Sequence, residues 1–354
     1  MEKLSVIMVG PVNHTRGGMS QYIEDLTKNL SDDVNVHTHH VGSLDKDWPG
    51  AVFVAAIYSA YCLVRFLVRH RTDIVHVHAS FGLDFYRSII YSLITKYIWR
   101  RPLVFHVHGS EFDQFVQSAS FWQRQVTRLV FSISDEILTI SEYSRDSISS
   151  LAEDEKITHI HHSVEPEAYD PQYQTNPLRI TFISDIIYRK GILDLDEIIR
   201  EVLDRGDTNV KFHLAGTGML QDQFEKLDEE FSSVKYHGYV SEEEKHRLLS
   251  ESLVFMLPTY SEAGPPIAIV EAMGGGNAIV TTDTSGIPEL IKHRRNGIVE
   301  QVGDVQAFTS SLHQLLGEPE IVIEMARRNR KIIETRLNWA QSSQKVEEVY
   351  NKFY

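Results

Sequence analysis

Two glutamates, Glu262 and Glu271, bracket the stretch SEAGPPIAIVEAMGGG. Eight residues lie between them, and Gly264-Pro265-Pro266 opens the apolar run that begins at Ile267. Proline lacks the N–H that a helix interior needs, but a first helical turn accommodates it. The pattern predicts a helix over IAIVEAM that stops at Gly274-Gly275-Gly276. Glu262 then falls in the loop before the helix, and Glu271 more than a turn inside it. Carboxylates accept hydrogen bonds from hydroxyls and repel phosphate, whereas a helix start attracts an anion. A ligand with both hydroxyls and phosphates, such as a nucleotide sugar, matches that mixture. The bland alternative makes Glu262 a first-turn acid and Glu271 part of a solvated face. Arg189 and Lys190, in IIYRKGILDL, add two cations just before Gly191 and another helical pattern. Cations there can hold a diphosphate and stabilise it as it leaves; otherwise they are a solvated basic pair.

Other loops offer weaker signals. Gly17 and Gly18 precede a helix expected to start near Ser20. Glycines there let backbone N–H groups approach an anion, although a glycine pair before a helix is also an ordinary turn. His108 ends an apolar run, where a histidine can hydrogen-bond a sugar or sit in the core. His76 and His78, His106 and His108, and His159 and His161 form H-x-H pairs whose members share a strand face. That spacing could bind a metal, yet no complete ligand set is legible and none is expected.

Apolar runs of strand length must carry these loops. The first series is 4–10, 34–39, 73–78, 102–108, 136–141 and 157–161. The second is 179–184, 210–216, 234–239, 253–258 and 277–282. Runs apolar on both faces, alternating with helical patterns, predict parallel sheets covered by helices. The stretch 163–178 is rich in proline and polar residues and reads as a linker. The expected fold class is α/β: two doubly wound Rossmann-like domains, 1–165 and 176–337, facing across a cleft that holds the ligand.

Composition narrows the partners. A chain of 354 residues has room for two cores. Its formal charge of −14 disfavours nucleic acid. One cysteine, Cys62, fits a reducing compartment and excludes a cysteine-rich zinc site. The opening MEKLSVIMVGP is not expected to be a signal peptide. Ala51 to Arg71 carries no charge before Arg65, which is short for a membrane span and predicts a buried or interfacial helix.

Taken in order, the GG loop, DIVHVH, FHVHGSEF, LTISEYSRD, RKG, LAGTG, YHGYV, SEAGPPIAIVEAM, TSGIPELI and LNWAQSSQKVEEVY resemble a GT-B glycosyltransferase of the retaining family 4 group. The likeness runs over nearly the whole chain. It implies an acceptor-binding N-terminal domain with a C-terminal helix, about 338–354, packed back on it, and a C-terminal domain for a nucleotide-sugar donor. It implies no metal and no cofactor. It assigns Glu271 to ribose hydroxyls, Glu262 and the backbone of Gly264, Pro265, Pro266 and Ile267 to the donor sugar, and Lys190 to the diphosphate. His108 would lie near the sugar and acceptor, and backbone near Tyr239 and Val240 would read the base. Three departures stand out. The family usually has seven residues between the glutamates, and His162-Ser163 stands where asparagine-glycine is usual before the linker. Ser184-Asp185 stands where glycine-arginine is usual, so either Arg189 compensates or donor phosphate binding is weaker.

Retaining enzymes of this kind deliver the sugar through an oxocarbenium-like transition state while the leaving phosphate helps deprotonate the acceptor. The stretches 85–102 and 121–131 mix aromatic residues with Arg87, Lys96, Arg100, Arg101, Arg124 and Arg128. In an acidic protein this predicts either docking on an anionic membrane, with a lipid-linked or saccharide acceptor, or ordinary sheet-covering helices. The expected location is cytoplasmic, peripheral on the inner membrane face. A nucleotide-sugar epimerase of the same architecture and a non-catalytic nucleotide-binding module are the alternatives.

Overall fold

The computed structural model describes residues 3–12, 18–41, 51–69, 72–108, 112–206, 209–262 and 264–354. These fall into two compact units, 1–161 with 339–354, and 162–338.

The first unit carries β1 (Leu4–Gly10), α1 (Gly18–Asn29), β2 (Val34–His40), α2 (Ala51–Leu67), β3 (Ile74–Ala79) and α3 (Leu83–Leu93). α3 widens into a π-helical stretch, Ile94–Trp99. β4 (Leu103–Val107), α4 (Phe112–Gln117), α5 (Phe121–Ile133), β5 (Glu136–Thr139), α6 (Glu142–Ile148) and β6 (Ile157–His159) follow. Six strands form one parallel sheet in the order β2-β1-β3-β4-β5-β6. Every residue of β3 and β4 is buried, as a sheet covered on both faces requires. Val75, Val77 and Phe105 face one side with Phe66, Phe85 and Phe131. Met8, Val104 and Leu138 face the other.

The second unit carries β7 (Leu178–Ile183), α7 (Ile192–Asp204), β8 (Val210–Ala215), α8 (Gln221–Glu230), β9 (Val234–Tyr236), α9 (Glu242–Glu251) and β10 (Val254–Leu257). Then come α10 (Ile267–Gly274), β11 (Ala278–Thr282), α11 (Ile287–Leu290), β12 (Gly297–Glu300), α12 (Val305–Gly317) and α13 (Pro319–Arg336). Its parallel sheet runs β12-β11-β10-β7-β8-β9. The order reverses between β7 and β10, and the loops leaving their carboxyl ends flank that point, where open α/β sheets bind ligands. α7 shows why such helices form: Ile192, Leu195, Ile198, Ile199 and Val202 repeat at helical spacing and are all buried. The final helix, α14 (Trp339–Asn351), belongs to the first unit and buries Trp339, Val346, Val349 and Tyr350 there.

Both sheets are the expected α/β type, with three local differences. β12 is absent from the predicted strands; GIVE is too short, and too marked by its leading glycine, to read as one. The stretch 163–178, read as a linker, packs into the second unit. Tyr169 is buried against Gly274, where an added Cβ would stand 3.0 Å from its ring. Arg330 donates to the Pro166 carbonyl at 2.8 Å and to the Gly274 carbonyl at 2.7 Å, joining that stretch to the end of α10. α2 is not a buried helix: among its described side chains only Cys62 and Phe66 are buried.

Candidate functional site

Gly191 brings the two cations to Glu262. It has φ +72°, and an added Cβ would stand 1.9 Å from the Pro258 carbonyl oxygen. Only glycine tolerates both that conformation and that approach. The RKG loop is thereby seated on the segment after β10. Tyr260 donates its N–H to the Arg189 carbonyl at 2.8 Å, and the Thr259 hydroxyl donates to the same oxygen at 3.1 Å.

The side chains converge on one carboxylate. Lys190 Nζ bonds Glu262 Oε1, and Arg189 reaches Glu262 Oε2 at 3.2 Å and the Ser261 carbonyl at 2.9 Å. The Thr259 hydroxyl donates to Glu262 Oε1 at 2.8 Å. The Glu262 N–H donates to the Ser285 hydroxyl at 3.1 Å. Lys190 is 7% exposed and Glu262 4%. A buried carboxylate is tolerated only when hydrogen-bond donors surround it, as they do here. Glu262 is thus not a loosely solvated first-turn acid. Arg189 and Lys190, read from the sequence as diphosphate ligands, both engage the acid itself.

Glu271 lies in the second turn of α10, and Lys245 of α9 donates to its Oε1 at 2.6 Å. Burial pulls the Lys245 ammonium down, but Glu271, helped by Glu242, outweighs it and holds the group above its usual range. Lys245 escaped the sequence reading because it sits in the polar run SEEEKHR, which looks like a solvated helix start. Ser241 caps that helix by accepting the Glu244 N–H at 3.2 Å. Ser285 was missed for a similar reason; it has φ +54° in the turn before α11. Gly264 and Pro265 are buried and pack against Gly286, while Pro266 and Ile267 are half-buried at the start of α10. Tyr239 is exposed and Val240 half-buried after β9. Asp185, at the position of the usual arginine, is exposed beyond β7.

In the first unit, Gly18 is exposed at the start of α1, and Gly17 lies outside the described residues, as do 109–111 of the HGSE motif. His108 is buried and belongs to a stack of four imidazoles. His76 and His106 hydrogen-bond at 3.3 Å, and His78 and His108 at 3.0 Å. One pair lies over the other, with ring centres 4.1 Å apart for His76 and His78 and 4.0 Å apart for His106 and His108. The Tyr350 hydroxyl bonds His76 Nδ1 at 2.7 Å, and Tyr22 packs edge-on against His106 and His108. Strand alternation put these rings on one face, as the H-x-H spacing implied; that they would stack in pairs needed the register His78 to His106. Burial lowers His76 to about 3 and His78 well below its ordinary value. Ring nitrogens of His76, His78 and His106 lie within 4.8 Å of one another, the one metal-compatible group among the described residues.

Comparison with known proteins follows the same division. The family described as Glycosyltransferase Family 4 matches residues 16–168, and Glycosyl transferases group 1 matches 177–318. The amylovoran biosynthesis glycosyltransferase AmsK of Erwinia amylovora is 31% identical over 195 residues, which is 52% of this chain and 48% of that protein. The matching chain of phosphatidylinositol N-acetylglucosaminyltransferase from Homo sapiens is 24% identical over 305 residues, 84% of this chain and 61% of that one. The matched parts are thus about half and three fifths of these two relatives' own lengths. The crystal structure of HepE from Anabaena in complex with UDP and glucose superposes with a TM-score of 0.73 at 16% identity, covering 98% of this chain and 99% of that one. Matches on both units and a shared two-sheet fold make this chain a member of the GT-B glycosyltransferases of family 4.

Proposed function

We propose that the chain moves a hexose-type sugar, with retention and without a metal, from a nucleotide-sugar donor to a saccharide or lipid-linked acceptor in surface polysaccharide or glycolipid synthesis. The observation that carries this reading is the pair of acids around α10, each fixed by its own cation: Glu262 by Lys190 and Glu271 by Lys245. Both stand at the carboxyl-end side of the second sheet, beside its topological switch point. A carboxylate already oriented by a lysine presents its remaining lone pairs to hydroxyls at little entropic cost. Glu271 suits a ribose diol and Glu262 a sugar hydroxyl. Arg189, Lys190 and the first N–H groups of α10 offer positive charge to a departing diphosphate. That charge is the role a divalent cation would otherwise fill. In this reading the loop at Gly17 and Gly18 adds backbone donors, Tyr239 and Val240 adjoin the base, and His108, just past the end of β4, adjoins the sugar and acceptor. The relatives named for amylovoran and phosphatidylinositol glycosylation support an acceptor of polysaccharide or glycolipid type.

Thermal unfolding against a panel of nucleotide sugars tests the donor, because a ligand held only by the folded state raises its melting temperature. Glu271→Ala should weaken the stabilising donor by about 10- to 100-fold, the worth of one or two hydrogen bonds to a charged group. An unchanged donor Kd in that variant removes Glu271 from the site. Incubation of the wild type with donor alone should leave the sugar's configuration intact; epimerised sugar would overturn the transfer reading.

A further inference from the structure

The first unit has one face whose covering is at odds with water. α2, AVFVAAIYSAYCLVRFL, is apolar nearly all round and carries no acid. A helix of that composition belongs in a core. Yet Phe53 is 71% exposed, Val64 58%, and Ile57 and Tyr61 are exposed along the same side. On its inner side Phe66 stacks on Trp99 with ring centres 4.3 Å apart and meets Tyr91 edge-on. α3, its π-helical extension and α5 cover the same face of the sheet through Phe85, Tyr91, Ile94 and Phe131. They too turn apolar residues outward: Leu83, Ile90 and Ile98 on one, Phe121 and Trp122 on the other. Exposed apolar residues on three helices that cover one sheet face exceed the scattered exposure ordinary for a surface.

Charge decides what covers it. The segments 51–69, 83–101 and 121–133 hold two, four and two basic residues, and a single acid, Asp84. This excess sits in a chain of net charge −14. Lys96 is paired with Asp135, which still leaves the surface strongly positive. We propose that this face docks on an anionic lipid bilayer, with α2 lying in the interface and the arginines of the other helices meeting lipid phosphates. Apolar side chains beside arginines and few acids are the chemistry that binds such a surface. No helix among the described residues is long and apolar enough to cross a membrane, so the contact is with the surface. The proposal deepens the lipid-linked acceptor reading and rests on it only for its purpose, not for its geometry.

Co-sedimentation of the whole chain with vesicles of phosphatidylcholine, alone or mixed with phosphatidylglycerol, tests it. Binding is expected to the mixed vesicles, with a blue shift of tryptophan emission as Trp122 leaves water, and it should weaken as salt rises. Ile57→Asp with Val64→Asp should lower partitioning at least about tenfold. Arg100→Glu with Arg101→Glu should lower it as well while leaving every apolar residue of the patch in place, and so serves if the α2 variant unfolds. Neither variant should alter the melting shift given by the nucleotide sugar. Failure of the intact chain to bind mixed vesicles overturns the proposal. So does equal binding by wild type and both variants, or a concentration-dependent dimer that the α2 variant dissolves. Glu271→Ala separates the two readings: it should lose donor binding and keep vesicle binding.

Discussion

Lys190→Ala should slow sugar transfer by about two to three orders of magnitude, the loss seen when one preorganised charge-stabilising group is removed. It should also destabilise the second unit. Glu262 would remain buried with Arg189 and Thr259 as its partners but without its closest cation. Breaking a buried pair from one side costs on the order of 3 kcal/mol, because the surviving charge is left under-compensated. The two losses can be separated. Lys190→Met combined with Glu262→Gln removes both charges, and such neutral replacements are often close to neutral for stability. That double variant should regain most of the lost melting temperature and none of the lost turnover. Turnover of the double variant within a few fold of wild type would falsify a role for either group in the chemistry and leave the pair as scaffolding.

Acidification should destabilise the first unit at pH values where carboxylates are still ionised. His76 and His78 are buried as neutral rings, His76 with its titration pushed down to about 3 and His78 held well below its usual value, both by burial. In the unfolded chain a histidine titrates near 6.5. Below that pH the unfolded state takes up protons that the folded state refuses, so stability falls as pH falls. Above about 6.5 the neutral stack is fully stable. From there each of the two rings removes about 1.4 kcal/mol per pH unit. At pH 5.5 the pair should therefore have cost about 3 kcal/mol relative to neutral pH. His39, lowered to about 4 chiefly by burial, acts in the same direction. Trp99, Trp122 and Trp339 lie in the first unit, and the second unit, 162–338, contains no tryptophan. Tryptophan emission during denaturant unfolding between pH 7.5 and 5.5 reads that unit alone. A denaturation midpoint unchanged across this range would mean that the rings are charged or hydrated in the folded protein.

Much of this was legible in the chain. Strands such as LVFML are apolar on both faces, and only a sheet covered on both sides buries such runs. The alternation of strand and helix then fixes the α/β class. The order Pro265, Pro266, IAIVEAM, Gly274 places a helix start and two acids with little help from the rest of the chain, because proline and glycine act through local backbone geometry. The H-x-H pairs fixed the face of each histidine for the same reason.

The missing parts are those that depend on residues far apart in sequence. Lys245 meets Glu271 only because α9 lies beside α10, and nothing in SEEEKHR distinguishes that lysine from a solvated one. Arg189 and Lys190 read as phosphate ligands on charge alone; that they first fill Glu262 depends on Gly191 admitting Pro258 against its backbone. The segment 163–178 has no period, yet Tyr169 finds a seat at Gly274, so a stretch that looked like a linker became core. The exposure of α2 was likewise settled by packing, since its composition left a buried and an interfacial position both open. Periodicity and backbone chemistry are local and can be read along the chain, whereas the partner of a buried charge and the covering of an apolar helix are set by what the fold brings beside them.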